Sequence, residues 1–165
     1  MPLLPVQVAG WLRTVNDNFD QLKAIVSGLA GLGAMRVAQF DFDPTADATK
    51  RPIAAYGTGI TLPANAVVMG GFFSVNTAFT SAGGNTGQIA ISVEGANDIQ
   101  TAAAVGGAPY STIGRKAIVP KINTPETTSI KVTTAKEVTV TVSVAALTAG
   151  KLTGYLFYVE GAPSA

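Results

Sequence analysis

Asp41 and Asp43 stand two residues apart with Asp47 close behind. In an extended strand residues two apart point to one side, so this pair could hold a hard cation such as calcium. The glycine-containing spacing of a calcium loop is missing, and Asp43-Pro44 also reads as a turn closing a polar strand face. No metal is expected. Glu94 and Asp98 flank Gly95-Ala96-Asn97 and could pair as general acid and base. Two carboxylates around a turn equally serve solubility. Residues 83–87 (GGNTG) have the glycine content of a phosphate loop, but no lysine follows and no helix pattern begins there. The chain has no histidine and no cysteine. It therefore lacks the commonest general base, the commonest metal ligand and any thiol nucleophile or disulfide. No cofactor is expected, and the residues point away from an enzyme.

Arg115, Lys116 and Lys121, with Lys131 and Lys136, are the basic concentrations. They are too sparse and too poor in interleaved aromatics for a nucleic-acid site, and they suit the protection of strand edges. The formal net charge of +1 gives no field to steer nucleic acid or anionic membrane. Tyr155 and Phe157 fall on one strand face and Tyr158 on the other, which suggests core packing with a rim hydroxyl rather than a sugar-stacking platform.

These side chains must be positioned by strands. Val138, Val140, Val142 and Val144 alternate with Thr139, Thr141 and Ser143, the pattern of a strand with one apolar and one hydroxyl face. Residues 148–151 (TAGK) read as a turn into residues 152–159, so the spacing predicts an antiparallel hairpin whose valine face needs an opposing sheet. Upstream, residues 37–42, 53–56, 59–62, 67–79, 88–93, 117–119 and 129–133 read as strands. The glycines at 70 and 71 mark a bulge or a place where another backbone comes close, and residues 88–93 are expected to pair with 67–79 as a long hairpin. Residues 98–105 would accept a short helix. With turns every 8 to 12 residues and no crossover helix, the fold class is mainly β, an antiparallel jelly-roll-like sandwich. At 165 residues one such body plus an appendage is expected: an arm over residues 1–35 and the sandwich over 36–165.

The arm differs in kind. Val8, Leu12, Val15, Phe19, Leu22, Val26 and Leu29 are spaced 4, 3, 4, 3, 4 and 3, the seam of one amphipathic helix that Trp11 and Ile25 widen. Burying each seam residue is worth about 1.5–3 kcal/mol, and no second helical pattern exists to cover them. The seam needs its own sheet, its copies or another protein, and the glycines at 28, 31 and 33 favour a hinge that frees it for a short trimeric stalk or a docking arm. The opening MPLLPV has no basic leader and no run approaches the ~20 apolar residues of a membrane helix. Synthesis in a cytosol, with no membrane partner, is the expectation. Charged residues are 13%, about half the usual share, so the surface is either neutral and hydroxyl-rich or hidden in an assembly.

Residues 60–72 (ITLPANAVVMGGF), 75–81 (VNTAFTS), 91–98 (ISVEGAND) and 138–151 (VTVTVSVAALTAGK) together carry a resemblance. Over residues 36–160 the chain resembles small virion structural proteins of tailed bacteriophages, and residues 15–22 (VNDNFDQL) look like the arms by which phage appendages attach to a particle. The resemblance implies a homotrimeric β-sandwich that decorates or cements the capsid by binding the major capsid protein. The arm's apolar stripe, and not the resemblance, selects Trp11, Leu12, Val15, Phe19, Leu22, Val26 and Leu29 as the expected partner contacts. An alternative is a receptor-binding head-fibre or tail-fibre tip that touches host glycans through its hydroxyl-rich loops, which an exposed Tyr56 or Tyr110 in a shallow groove would favour.

Overall fold

The computed structural model describes residues 20, 21, 35–118, 120 and 130–160. The chain divides into two compact units, Met1–Ala34 and Met35–Ala165. Asp20 and Gln21 are helical and exposed. The seven seam residues and Trp11 lie outside the described residues.

Eight strands are described: β1 (Met35–Phe42), β2 (Ala54–Leu62), β3 (Ala66–Ser81), β4 (Gln88–Ser92), β5 (Gln100–Ala104), β6 (Gly114–Ile118), β7 (Lys136–Ser143) and β8 (Leu147–Glu160). They form two four-stranded antiparallel sheets, ordered β1-β8-β3-β6 and β2-β7-β4-β5. Strand 1 pairs with 8, 2 with 7, 3 with 6 and 4 with 5, and successive pairs alternate between sheets. That is a double strand wound into a jelly roll.

The winding follows from where the apolar faces can go. In β1, Ala38, Phe40 and Phe42 are buried while Gln39 and Asp41 are exposed. In β7, Val138, Val140 and Val142 are buried, and in β8 the buried set includes Leu152 and Leu156. Each sheet turns one such face inward, and Phe73, Val75 and Phe79 of the first sheet share a single core with Leu62, Ile89 and Ile91 of the second. Neither face would be dry alone.

Both expected hairpins are replaced by crossings between sheets. Residues 138–143 and 152–159 do not pair with each other: β7 lies in the second sheet and β8 in the first. The valine face and the leucine face meet across the core, which buries both, whereas a hairpin would place them side by side on one sheet. The chain crosses at Val144, whose φ of 69° is costly for a branched residue. Residues 148–151, read as a turn, lie inside β8. Likewise β3 is in the first sheet and β4 in the second, joined through Ala82–Asn85, where Gly83 and Gly84 take φ of 65° and 75°.

Smaller differences have local causes. The strand candidates at 53–56 and 59–62 are one strand, β2, with an irregularity between Gly57 and Thr61. Residues 100–104 form β5 rather than a helix, because the free edge of β4 takes Ala103 and Ala104 as partners for Ile89 and Gln88. The expected bulge at the paired glycines is present between Val68 and Gly70. Gly71 is required there, since any Cβ would run into the carbonyl oxygen of Tyr155. Residues 130–132 add a short pairing beside the start of β3, with Val132 N donating to Ala66 O at 2.8 Å.

Candidate docking surface

The carboxylates singled out by spacing are each engaged in holding the fold. Asp43 Oδ1 accepts from Ala46 N at 2.9 Å and its Oδ2 pairs with Lys151 Nζ at 2.9 Å. Asp47 caps the 3-10 turn Ala48–Lys50 by accepting from Thr49 N at 3.0 Å. Asp41 accepts from Thr153 Oγ1 at 2.6 Å. Among the described residues no group of three metal-ligating side chains comes together.

Glu94 and Asp98 are fasteners as well. Glu94 accepts from Thr133 Oγ1 at 2.7 Å and pairs with Lys136 Nζ at 3.0 Å, tying the end of β4 to the start of β7. Asp98 closes the intervening turn by accepting from Val93 N, Glu94 N and Gly95 N at 2.8–2.9 Å. The Thr133 hydroxyl, more than Lys136, holds the Glu94 carboxyl below its ordinary value. A general acid needs the opposite shift.

The lowered carboxyls have a consequence for stability against pH. The Ala46 N–H, then Lys151, lowers Asp43 from its ordinary 3.8, and the Thr49 hydroxyl lowers Asp47. A depressed folded-state pKa contributes stability that is complete above the unfolded value and is lost as pH falls through the folded one. The urea midpoint should therefore be flat from neutral to about pH 5 and decline below about pH 4. Asp43→Asn should shrink that decline while leaving Asp47 and Glu94 to supply the rest, as measured by urea titrations at about pH 6 and about pH 2.5.

What remains is the surface of the two sheets, and they differ. The outer face of the second sheet is small and hydroxylated. Thr139 lies between Gly57 and Ser92, and Thr141 between Ala55 and Ala90. The outer face of the first sheet is apolar and aromatic. Register places Val37, Phe157 and Gly70 in one row, and Gln39, Tyr155, Phe72 and Ala117 in the next. A third row runs Asp41, Thr153, Ser74 and Arg115.

Phe72 stacks on Tyr155 with ring centroids 4.8 Å apart and meets Phe157 at 5.9 Å. The Arg115 guanidinium lies 5.0 Å over the Phe72 ring, a contact worth about 0.5–1 kcal/mol at an exposed site. Met35 and Val37 at the start of β1 are 66% and 57% exposed. Tyr155 and Phe157 thus share a face, as their spacing predicts, but it is the outer face and not the core. The alternation was legible; which side faced the partner sheet was not.

The two tyrosines whose exposure in a groove would favour glycan binding are elsewhere. Tyr110 is fully buried between Phe73 and Phe79, and that burial pushes its hydroxyl pKa up. Tyr56 is half-buried, packs on Phe42 and donates to Pro52 O at 2.7 Å. Neither offers a ring face in a surface groove. On the first sheet, Phe72 and Tyr155 use their ring faces on each other, which leaves little platform for a sugar. Of the basic residues, Arg115 and Lys116 do stand on β6, an edge strand, where charge discourages unwanted pairing. Among the described residues no helix is long and apolar enough to cross a membrane.

No protein-family model and no curated protein matches the sequence. The fold is similar to chains in three solved bacteriophage capsids. A chain in the capsid of Ralstonia phage GP4 is 20% identical with a TM-score of 0.55, over 78% of this chain and 86% of that one. A chain in the capsid asymmetric unit of cyanophage Pam1 is 16% identical with a TM-score of 0.56, over 77% and 85%. A chain in the acid-stable capsid of Helicobacter pylori bacteriophage KHP30 is 14% identical with a TM-score of 0.51, over 76% and 86%.

Proposed function

We propose that this chain is a non-enzymatic bacteriophage virion protein that decorates and cements the capsid, binding the major capsid protein as a homotrimer. The observation that carries the reading is the jelly-roll body, whose fold is similar to chains in three phage capsids. Two further features support it. The carboxylates that could have done chemistry are engaged in turns and strand ties, and one sheet presents an aromatic face to the outside.

The mechanism is mechanical. Three weak contacts joined in one trimer attach as a unit, because the first contact raises the effective concentration of the others. Each subunit adds area across a junction between capsomers and slows their separation. The arm supplies the grip in this reading, with Trp11, Leu12, Val15, Phe19, Leu22, Val26 and Leu29 as its contact residues. The trimer would sit on the outer surface of the head after synthesis in the host cytoplasm.

The test is cosedimentation of the purified protein with shells of the major capsid protein from the phage that encodes it. Saturable binding at a fixed ratio to capsomers supports the reading; no binding at tens of micromolar protein counts against it. Phe19→Asp combined with Leu22→Asp should abolish either shell binding or trimer formation while far-ultraviolet circular dichroism still reports a folded β body. Unchanged binding and unchanged mass would remove the arm from the mechanism. Light scattering on the full chain and on a chain starting at Arg36 separates a stalk, lost on truncation, from a docking arm.

A further inference from the structure

We propose that the outer face of the β1-β8-β3-β6 sheet is the surface through which copies of this chain pack against one another, three such faces turned toward a common axis. The threefold number rests on the homotrimer reading above; the choice of face does not.

The first observation is the contrast between the two outer faces. The second sheet shows water Thr139, Thr141 and Ser143, whereas the first shows Val37, Phe72, Tyr155 and Phe157 with Met35 beside them. Four strands about 4.8 Å apart and some 20 Å of strand length make a patch on the order of 400 Å². A patch of that size is comparable to the largest on a typical soluble monomer, and such patches are often functional. Among the described residues nothing covers it.

The second observation selects the occupant. One register row carries Asp41 at the β1 edge and Arg115 at the β6 edge, both exposed. Three strand spacings separate them by about 14 Å, too far to pair within one subunit. No described carboxylate forms an ion pair with Arg115. A face with opposite charges on opposite edges is complementary to itself. When copies close a ring head to tail, the β6 edge of each meets the β1 edge of the next, and Arg115 of one finds Asp41 of its neighbour. The stacked Phe72 and Tyr155 with Phe157 then point to the axis as a shared apolar core.

The experiment is light scattering of the full-length protein and its variants across a dilution series. Val37→Lys with Phe157→Lys should convert the trimer to a folded monomer, with assembly weakened at least about 100-fold. Asp41→Arg and Arg115→Asp should each weaken assembly about 10-fold, and the two reversals together should restore it, because they rebuild the pair across the interface. The charge variants alter exposed edge side chains and keep the test usable if the lysine variant does not fold, with far-ultraviolet circular dichroism checking that loss of the Thr153–Asp41 hydrogen bond and the Arg115–Phe72 contact leaves the body folded. A wild-type trimer that survives all of these substitutions overturns the face assignment and leaves the trimer reading standing. A wild-type monomer in solution overturns both. Variants that stay trimeric but lose shell binding would assign the face to the capsid protein and overturn the inference.

Discussion

Phe73→Ala is expected to lower the unfolding free energy by about 3–5 kcal/mol, while Phe72→Ala, one residue away, should cost about 1–1.5 kcal/mol. Phe73 is fully buried between the sheets and stacks on Tyr110 at 5.5 Å. Its removal leaves a cavity in a core that eight strands hold rigid, and the neighbours can fill only part of it. Phe72 points the other way, where its ring is half-exposed and its partners Tyr155 and Arg115 can shift into the space. Urea denaturation of the two variants measures the difference directly. Equal costs in the dissociated single chain would mean that the outer aromatic face is covered within the subunit, and the docking surface would have to be sought elsewhere.

Gly150→Ala should cost about 3 kcal/mol or more, and Gly150→Asn at least as much, although an asparagine is welcome in most hairpin turns. Gly150 has a φ of 141°, a conformation side chains avoid, and a Cβ there would run into the Phe79 ring. Its backbone is also held at both its N–H and its C=O by Thr45. Gly150 N donates to Thr45 Oγ1 at 2.8 Å, and Gly150 O accepts from Thr45 Oγ1 at 3.0 Å, so the strand cannot swing away. Gly107 is the matched control, because a Cβ there meets nothing within 4 Å. Gly107→Ala should be within about 0.5 kcal/mol of the parent chain. If Gly150→Asn were equally mild, residues 148–151 would be a turn after all and β8 would begin later.

Both results bear on one question: how far a residue's neighbours in sequence determine its neighbours in space. Val138, Val140 and Val142 announced a half-buried strand, and they are one. The same residues could not announce the sheet in which their strand lies. Alternation is a property of one strand against its own two sides, and the rule that joins β7 to β2 and β4 instead of β8 belongs to the winding of the whole chain. Residues 67–79 and 88–93 show the same limit at the β3 to β4 crossing.

The functional residues divide along the same line. Spacing puts Asp41 and Asp43 on one side of a strand with Asp47 close behind; the structure gives each its own partner. Lys151, the partner of Asp43, and Thr153, the partner of Asp41, lie about a hundred residues away in sequence, and no local pattern could name them; Asp47 caps its own turn through Thr49. The sequence alone did determine the class. Missing histidine and cysteine, strand periodicity in successive short segments and turn residues between them are local facts. They suffice for a β sandwich without thiol or imidazole chemistry. Only the tertiary structure decided that Tyr155 and Phe157 of β8 face outward and that Asp41 and Arg115 stand at opposite edges of one row. The physical reason is that the core selects one of a strand's two sides, and that choice is made by the strands across from it, brought there by the winding.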